Sequence, residues 1–174
     1  LLVMTGVFAQ SLSNIARIDL GLAVDSVVMF SISPETSGYA PDASARLFDR
    51  LEDDLAATPG VMSSAAAMHS LLSGGEIETG VSAAGNEDRI GTGMNVVSPR
   101  FFRTLGIDLL AGREFSAADR DGAPPVAIVN LRLAERLWPG MNAVGQRIPV
   151  LGESREVVGL VADAKYGNVT DDVE

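Results

Sequence analysis

The feature that most limits how this chain can fold is a repeated change of apolar period, with Pro or Gly at each change. Asp25 to Ser33 gathers Val27, Val28, Met29, Phe30 and Ile32 into one short run, closed by Pro34 and Ser37-Gly38-Tyr39, and predicts a strand. After Pro41 the period lengthens. Leu47, Leu51 and Leu55 recur at i, i+4 and i+8 with Phe48 beside them, opposite Arg50, Glu52, Asp53 and Asp54, which predicts a helix capped by Asp42 and stopped at Thr58-Pro59-Gly60. Neither a helical bundle nor an all-β sandwich accommodates both periods, so a sheet carrying helices is required.

The same reading continues along the chain. Val61 to Met68 suits a strand packed closely under a helix, broken by Ser73-Gly74-Gly75. Val81 and Ile90 mark two short strands around an Ala84-Gly85-Asn86-Glu87-Asp88 turn. Asn95-Val96-Val97 ends a strand, and Ser98-Pro99 reads as a helix start with Ser at the cap. That helix carries Phe101, Phe102 and Leu105, Gly106 closes it, and Ile107 to Leu110 begins another strand. Strand, helix, strand, strand, helix, strand over residues 25–110 is the order of two split βαβ units in a ferredoxin-like α+β sheet. The second half starts afresh with a strand at Pro125 to Val129, a helix capped by Asn130 and bearing Leu133, Ala134 and Leu137, and a stop at Trp138-Pro139-Gly140. Strands at Gln146 to Val150 and Arg155 to Val161 follow, around a turn at Leu151-Gly152-Glu153-Ser154. The domain organisation expected is a leading segment at 1–20, an α+β subdomain at 21–111 and a second, mixed subdomain at 112–174 that is cut short at its C-terminus.

With 174 residues and 47% hydrophobic content the chain can build a sizeable core. Its net charge of −10 repels polyanions, and its Lys and Arg form no basic block, so no nucleic-acid partner is expected. Cysteine is absent, which removes disulfides and cysteine-bound zinc and leaves the compartment open. Leu1 to Ala9 is an uncharged apolar run that begins abruptly, too short to span a bilayer and without the basic start of a signal peptide. Two readings stand for it: the outer end of a transmembrane helix continuing through Gln10 to Arg17 as a stalk, or a buried N-terminal helix.

Chemistry-bearing patterns are sparse. His69 is the only histidine, with Ser70 and Ser73 nearby, but no nucleophile-elbow pattern surrounds either serine, and one histidine without cysteine forms no zinc triad. Asp119-Arg120-Asp121-Gly122 has the look of a calcium loop. Aligned on Gly122, however, it places Ala117 and Ile128 where the anchoring carboxylates belong, so a turn is expected. Gly91-Thr92-Gly93 begins like a dinucleotide fingerprint, but Val96 stands at the third glycine and there is no phosphate loop. Glu52, Asp53 and Asp54 read as a solvated helix face, and Phe101, Phe102 and Trp138 as core rather than a ligand groove. Asn168-Val169-Thr170 matches a glycosylation acceptor pattern and is given almost no weight. No catalytic, cofactor-binding or metal-ligating residue is expected.

Three segments carry a family resemblance. Val97 to Phe115, with Ser98-Pro99, Phe102, Thr104-Leu105-Gly106-Ile107 and Gly112-Arg113, resembles a signature of the periplasmic core domain of MacB-type ABC-transporter permeases. Pro125 to Asn130, then Trp138-Pro139-Gly140 and Val144-Gly145, is similar to that family's second motif, and Glu156 to Tyr166 to its closing one. The duplicated orphan permeases are the variant it most resembles, with departures at Leu71, usually Pro, and at Leu131, usually acidic. The resemblance implies a porter-like subdomain followed by a Sabre-like one, a first transmembrane helix before them and FtsX-like helices after them. It also implies an inner-membrane protein whose non-catalytic domain faces the periplasm and transmits movement. Its expected partners are a cytoplasmic ABC ATPase on a separate chain, a second permease copy or homodimer, and a further periplasmic protein, with no cofactor. The alternative from a different class is a soluble periplasmic ligand-binding or interaction module not coupled to transport.

Overall fold

The computed structural model describes residues 22, 26–70, 77–83, 88–120 and 122–164. A single turn of 3-10 helix at Pro34–Ser37 is followed by α1 (Pro41–Ala56), β1 (Ile77–Val81), β2 (Ile90–Met94), α2 (Phe101–Leu105) and β3 (Leu109–Gly112). Then come β4 (Val126–Asn130), α3 (Leu131–Leu137), β5 (Arg147–Val150) and β6 (Glu153–Val161). The fold is α+β, as the two apolar periods require. The apolar start, the segment through Gly21, the Ser73-Gly74-Gly75 break, most of the Ala84 turn, Asp121 and the tail from Lys165 lie outside the described residues.

β6 is the centre of the larger sheet, in the order β3-β6-β4, with β5 also paired to it. β4 runs parallel to β6, which the intervening α3 crossover makes possible, while β3 and β5 are antiparallel to it. Alternating side chains then divide between two cores. Val129 of β4 and Val157 of β6 pack with Ala134, Leu137 and Trp138 on the α3 face, joined by Val81 of β1 and by Ile148 and Val150 of β5. Ile128 and Val161 point the other way, toward Phe101, Leu105 and Ile107 on the α2 face. β3 therefore completes a sheet whose other strands all lie beyond residue 112. β1 and β2 pair only with each other, from Ile77↔Met94 to Val81↔Ile90, as the sequence predicts.

The alternation in β6 is interrupted once. Val157 pairs with Ala127 but Gly159 pairs with Ile128, so Val158 is an extra residue and β6 carries a β-bulge there. The bulge lets adjacent residues Val157 and Val158 both be buried, which a regular half-exposed strand forbids.

Four local expectations need correction. Among the described residues 27–33 forms no ladder, and 61–68 forms a single bridge, Ala67↔Val97. α1 is capped by Ala40 with Pro41 in its first turn, and Asp42 lies inside that turn, where its charge meets the positive end of the helix instead of capping it. Ser98 does not cap α2 either. Its hydroxyl accepts from Ala66 N–H at 2.9 Å, and α2 starts only at Phe101, after Arg100 turns the chain with φ +71°.

The β5–β6 turn is tighter than expected, because Val150 pairs with Glu153 and leaves only Leu151-Gly152 between them. Both have positive φ, +52° and +85°, the condition of a type I′ hairpin turn. Leucine at such a position is strained by about 1–2 kcal/mol, and this one is 65% exposed, so packing returns little. Leu151→Asn is expected to stabilise the domain by about 1 kcal/mol, a rise in Tm of about 2–4 °C by calorimetry. An unchanged or lower Tm would contradict the turn geometry.

Candidate functional site

The residues with catalytic potential are placed apart. His69 donates its backbone N–H to Asn95 Oδ1 at 3.1 Å while Asn95 Nδ2 donates to the His69 carbonyl at 3.0 Å, so Asn95 holds the 66–70 segment as a strand neighbour would. The Ser70 hydroxyl lies 3.3 Å from that of Ser31, and Ser73 is outside the described residues. Gly91-Thr92-Gly93 lies inside β2, facing β1, and the next helix, α2, starts only at Phe101, so no helix N-terminus opens at these glycines to receive a phosphate. Asp53 and Asp54 are exposed, whereas Glu52 is half-buried and reaches Arg100 at 4.0 Å, tying α1 to the start of α2. Among the described residues no three His, Asp or Glu side chains gather as metal ligands would.

The aromatic residues are structural. Phe101 meets Phe102 edge-on, with ring centroids 5.5 Å apart, and Phe102 leans on Phe115 at 6.4 Å. Phe101 and Trp138 are buried in the two separate cores, so they line no common groove.

Sequence reasoning missed three contacts that lock the motif segments to one another. Gly112 of β3 faces Gly159 of β6 across the ladder. A Cβ on Gly159 would collide with the Arg113 carbonyl oxygen, and one on Gly112, whose φ is +76°, with the Val158 carbonyl oxygen. Both positions require glycine because two backbones touch there. The second contact is a clamp. Asp163, just past β6, accepts from Asn130 Nδ2 at 2.8 Å and from Arg132 N–H at 2.9 Å, while Asn130 Oδ1 accepts from Leu133 N–H at 3.2 Å. Asn130 was legible as a cap, but its carboxylate partner follows only from the parallel register, in which Asn130 lies beside Val161.

The third contact braces the loop after β3. Arg113 bonds both carboxylate oxygens of Asp119, at 2.6 and 2.8 Å, and the Ser116 N–H and hydroxyl also donate to Asp119 at 2.8 and 3.0 Å. The Arg113 bond, helped by Ser116, holds the Asp119 carboxyl well below the usual carboxylate range against the opposing effect of burial. The folded state thus binds this proton more weakly than the unfolded chain does. Its contribution is complete above the unfolded value near ~4 and is lost as pH falls toward the lower folded value. The guanidinium is 48% exposed, so solvent discounts the pair. Asp119→Asn is expected to cost about 1–2 kcal/mol at pH 7, with the gap to the parent narrowing below about pH 4 in urea titrations. A gap that widens on acidification would contradict this sign.

A group of apolar residues is exposed as well. Val28, Met29, Phe30 and Ile32 are exposed on the 27–33 segment. Met68 and Val96 are exposed on the two neighbouring segments, reached through the Ser31–Ser70 contact and the Ala67↔Val97 bridge. Solvent-facing apolar residues grouped in this way mark an interaction surface more than an enzyme cleft.

Comparison with known proteins finds a family that matches nearly the whole chain. The family described as "MacB-like periplasmic core domain" matches residues 1–173. The probable syringafactin export ATP-binding/permease protein SyfD of Pseudomonas syringae pv. tomato is 37% identical over 73 residues, 41% of this chain and 11% of that protein. The periplasmic region of MacB from Actinobacillus actinomycetemcomitans superposes with a TM-score of 0.52 at 14% identity, covering 70% of this chain and 58% of that one. The extracellular domain of the noncanonic ABC-type transporter YknZ from Gram-positive bacteria gives 0.47 at 18% identity, over 66% and 56% of the two chains. The chain thus spans about a ninth of the curated relative and somewhat over half of the first of these solved domains.

Proposed function

This chain belongs to the MacB-like periplasmic core domain family of ABC-transporter permeases, and from that premise we propose that it acts as a stiff transmitting element in a longer export protein. In this reading residues 1–20 are the end of a transmembrane helix and its stalk, with a porter-like subdomain at 21–111 and a Sabre-like one at 112–174. ATP is hydrolysed by a separate cytoplasmic chain, and the closure of that ATPase brings two permease copies together. The outer domain follows as a rigid body and passes the displacement to substrate or to a periplasmic partner protein. No bond is made or broken in it.

The observation that supports this best is that all three motif segments converge on β6. The first touches it through Gly112, the second pairs with it along β4, and the third is β6 itself with Asp163 beyond it. Interlocked strands of this kind move together because packed interiors do not deform continuously. Among the described residues no helix is long and apolar enough to cross a membrane. The test is the full-length gene product, with reporter fusions placed after each apolar segment. Long apolar helices on both sides of this domain, with the domain on the outer face, are expected. A free-standing product without bilayer-crossing segments would contradict the proposal and favour the soluble module.

A further inference from the structure

We propose that Met29, Met62, Met68 and Met141 are sites of reversible sulfur oxidation, at which a peroxide forms methionine sulfoxide without unfolding the domain. Methionine is among the residue types most often buried. Here four of the five described methionines are more than half exposed, and Met62 is 100% exposed. Met29 and Met68 belong to the exposed apolar group described above, whereas Met62 and Met141 do not, so the exposure is not confined to one surface. Nor does it follow from a loose backbone. The Met68 N–H donates to the Val96 carbonyl at 2.9 Å and the Met141 N–H to the Trp138 carbonyl at 3.0 Å. Met94 is the exception: it is half-buried and packs against the core that holds Val129, Val157 and Trp138.

Each event is a two-electron oxidation of one sulfur. A lone pair of the thioether attacks one oxygen of hydrogen peroxide, an S–O bond forms and the O–O bond breaks, and the departing hydroxide takes the proton from the transferred oxygen and leaves as water. Methionine sulfoxide reductases run the change backward, one enzyme for each sulfoxide epimer. Two thiols then give up two electrons and two protons, become a disulfide, and the oxygen leaves as water. The place of each sulfur decides what the added oxygen does to the fold. At the four exposed positions water solvates it, and surface changes of this kind barely alter stability. At Met94 the same oxygen is pressed against apolar side chains, where a polar atom is costly. The domain therefore takes up four oxygens before its packing is disturbed.

The experiment treats the full-length protein, reconstituted in lipid, with hydrogen peroxide over a time course. Peptide mass spectrometry follows the sulfoxide at each of the five methionines, and thermal unfolding is recorded on the same samples. The four exposed methionines are expected to react about tenfold faster than Met94 or more. When they are oxidised and Met94 is not, the Tm is expected to lie within about 2 °C of the untreated protein. Methionine sulfoxide reductases A and B with dithiothreitol are expected to return all four to the thioether. In strong denaturant the five are expected to react alike, because the fold and not the neighbouring sequence sets the order. Any of the four reacting no faster than Met94 overturns the proposal, as does a Tm that falls in step with their oxidation, a sulfoxide that the reductases leave in place, or an order that persists in denaturant. These rates do not depend on transmitted movement, so their failure leaves the proposed function standing.

Discussion

Gly159→Ala is expected to destabilise the domain by about 3 kcal/mol or more, and Gly112→Ala by about 3–5 kcal/mol. The new methyl on residue 159 has the Arg113 carbonyl in its path on one side and Ile128 Cγ1 at 3.2 Å on the other. The obstacle is backbone, which cannot swing away as a side-chain tip does. Relief requires β3 to part from β6, with loss of the Arg113 N–H bond to the Val158 carbonyl at 2.9 Å. Gly112→Ala meets a comparable collision and adds a positive φ. Gly91→Ala is the internal reference, because it lies in β2 with nothing within 4 Å of the added carbon. It is expected to change stability by less than about 1 kcal/mol, in the stabilising direction. Urea unfolding with unchanged m-values measures all three. A Gly159→Ala domain within about 1 kcal/mol of the parent would mean that β3 and β6 slide freely, and the case for a rigid core would fail with it.

Trp138→Ala is expected to cost about 3–5 kcal/mol. Trp138 ends α3, donates its N–H to the Ala134 carbonyl at 2.8 Å and is 5% exposed. It shares a core with Ala143, Ile148, Val150 and Val157, so its loss opens a cavity where α3 rests on the sheet. Were the indole instead part of a ligand groove, its removal would leave stability nearly intact. Thermal unfolding of the variant separates the two, and a fall in Tm of less than about 2 °C would contradict the core assignment.

The second half of the fold was more legible than the first, for a physical reason. Val126 to Asn130, α3 and β6 combine dense apolar runs with strong punctuation at Asn130 and Pro139-Gly140, and their burial follows their local pattern. Residues 27–33 have an equally apolar pattern, yet a strand is completed by its neighbour, and a single sequence does not contain the pairing. Ser98 shows the same limit in miniature. Its cap signature is local, but a distant N–H at Ala66 takes the hydroxyl. The Gly112–Gly159 contact was invisible because each glycine, read alone, is an ordinary turn or strand residue. Only the register places them face to face. The bulge at Val158 likewise shifts which neighbours become buried, and periodicity alone expects one of Val157 and Val158 outside.

Asp119 is spent on Arg113, Glu52 on Arg100, and the backbone of His69 on Asn95. These groups connect elements to one another, as suits a chain whose proposed work is mechanical.

The most direct measurement of that work is a pair of distances in the full-length transporter with its ATPase, taken by spin labelling with and without a non-hydrolysable ATP analogue. Labels at Asp53→Cys and Arg136→Cys, exposed on α1 and α3, report the interior of one domain, and Arg136→Cys alone reports the separation of two copies. The account predicts an interior distance constant to within about 2 Å while the separation between copies shifts by more than that. An interior distance that changes with nucleotide while the separation stays fixed would contradict it.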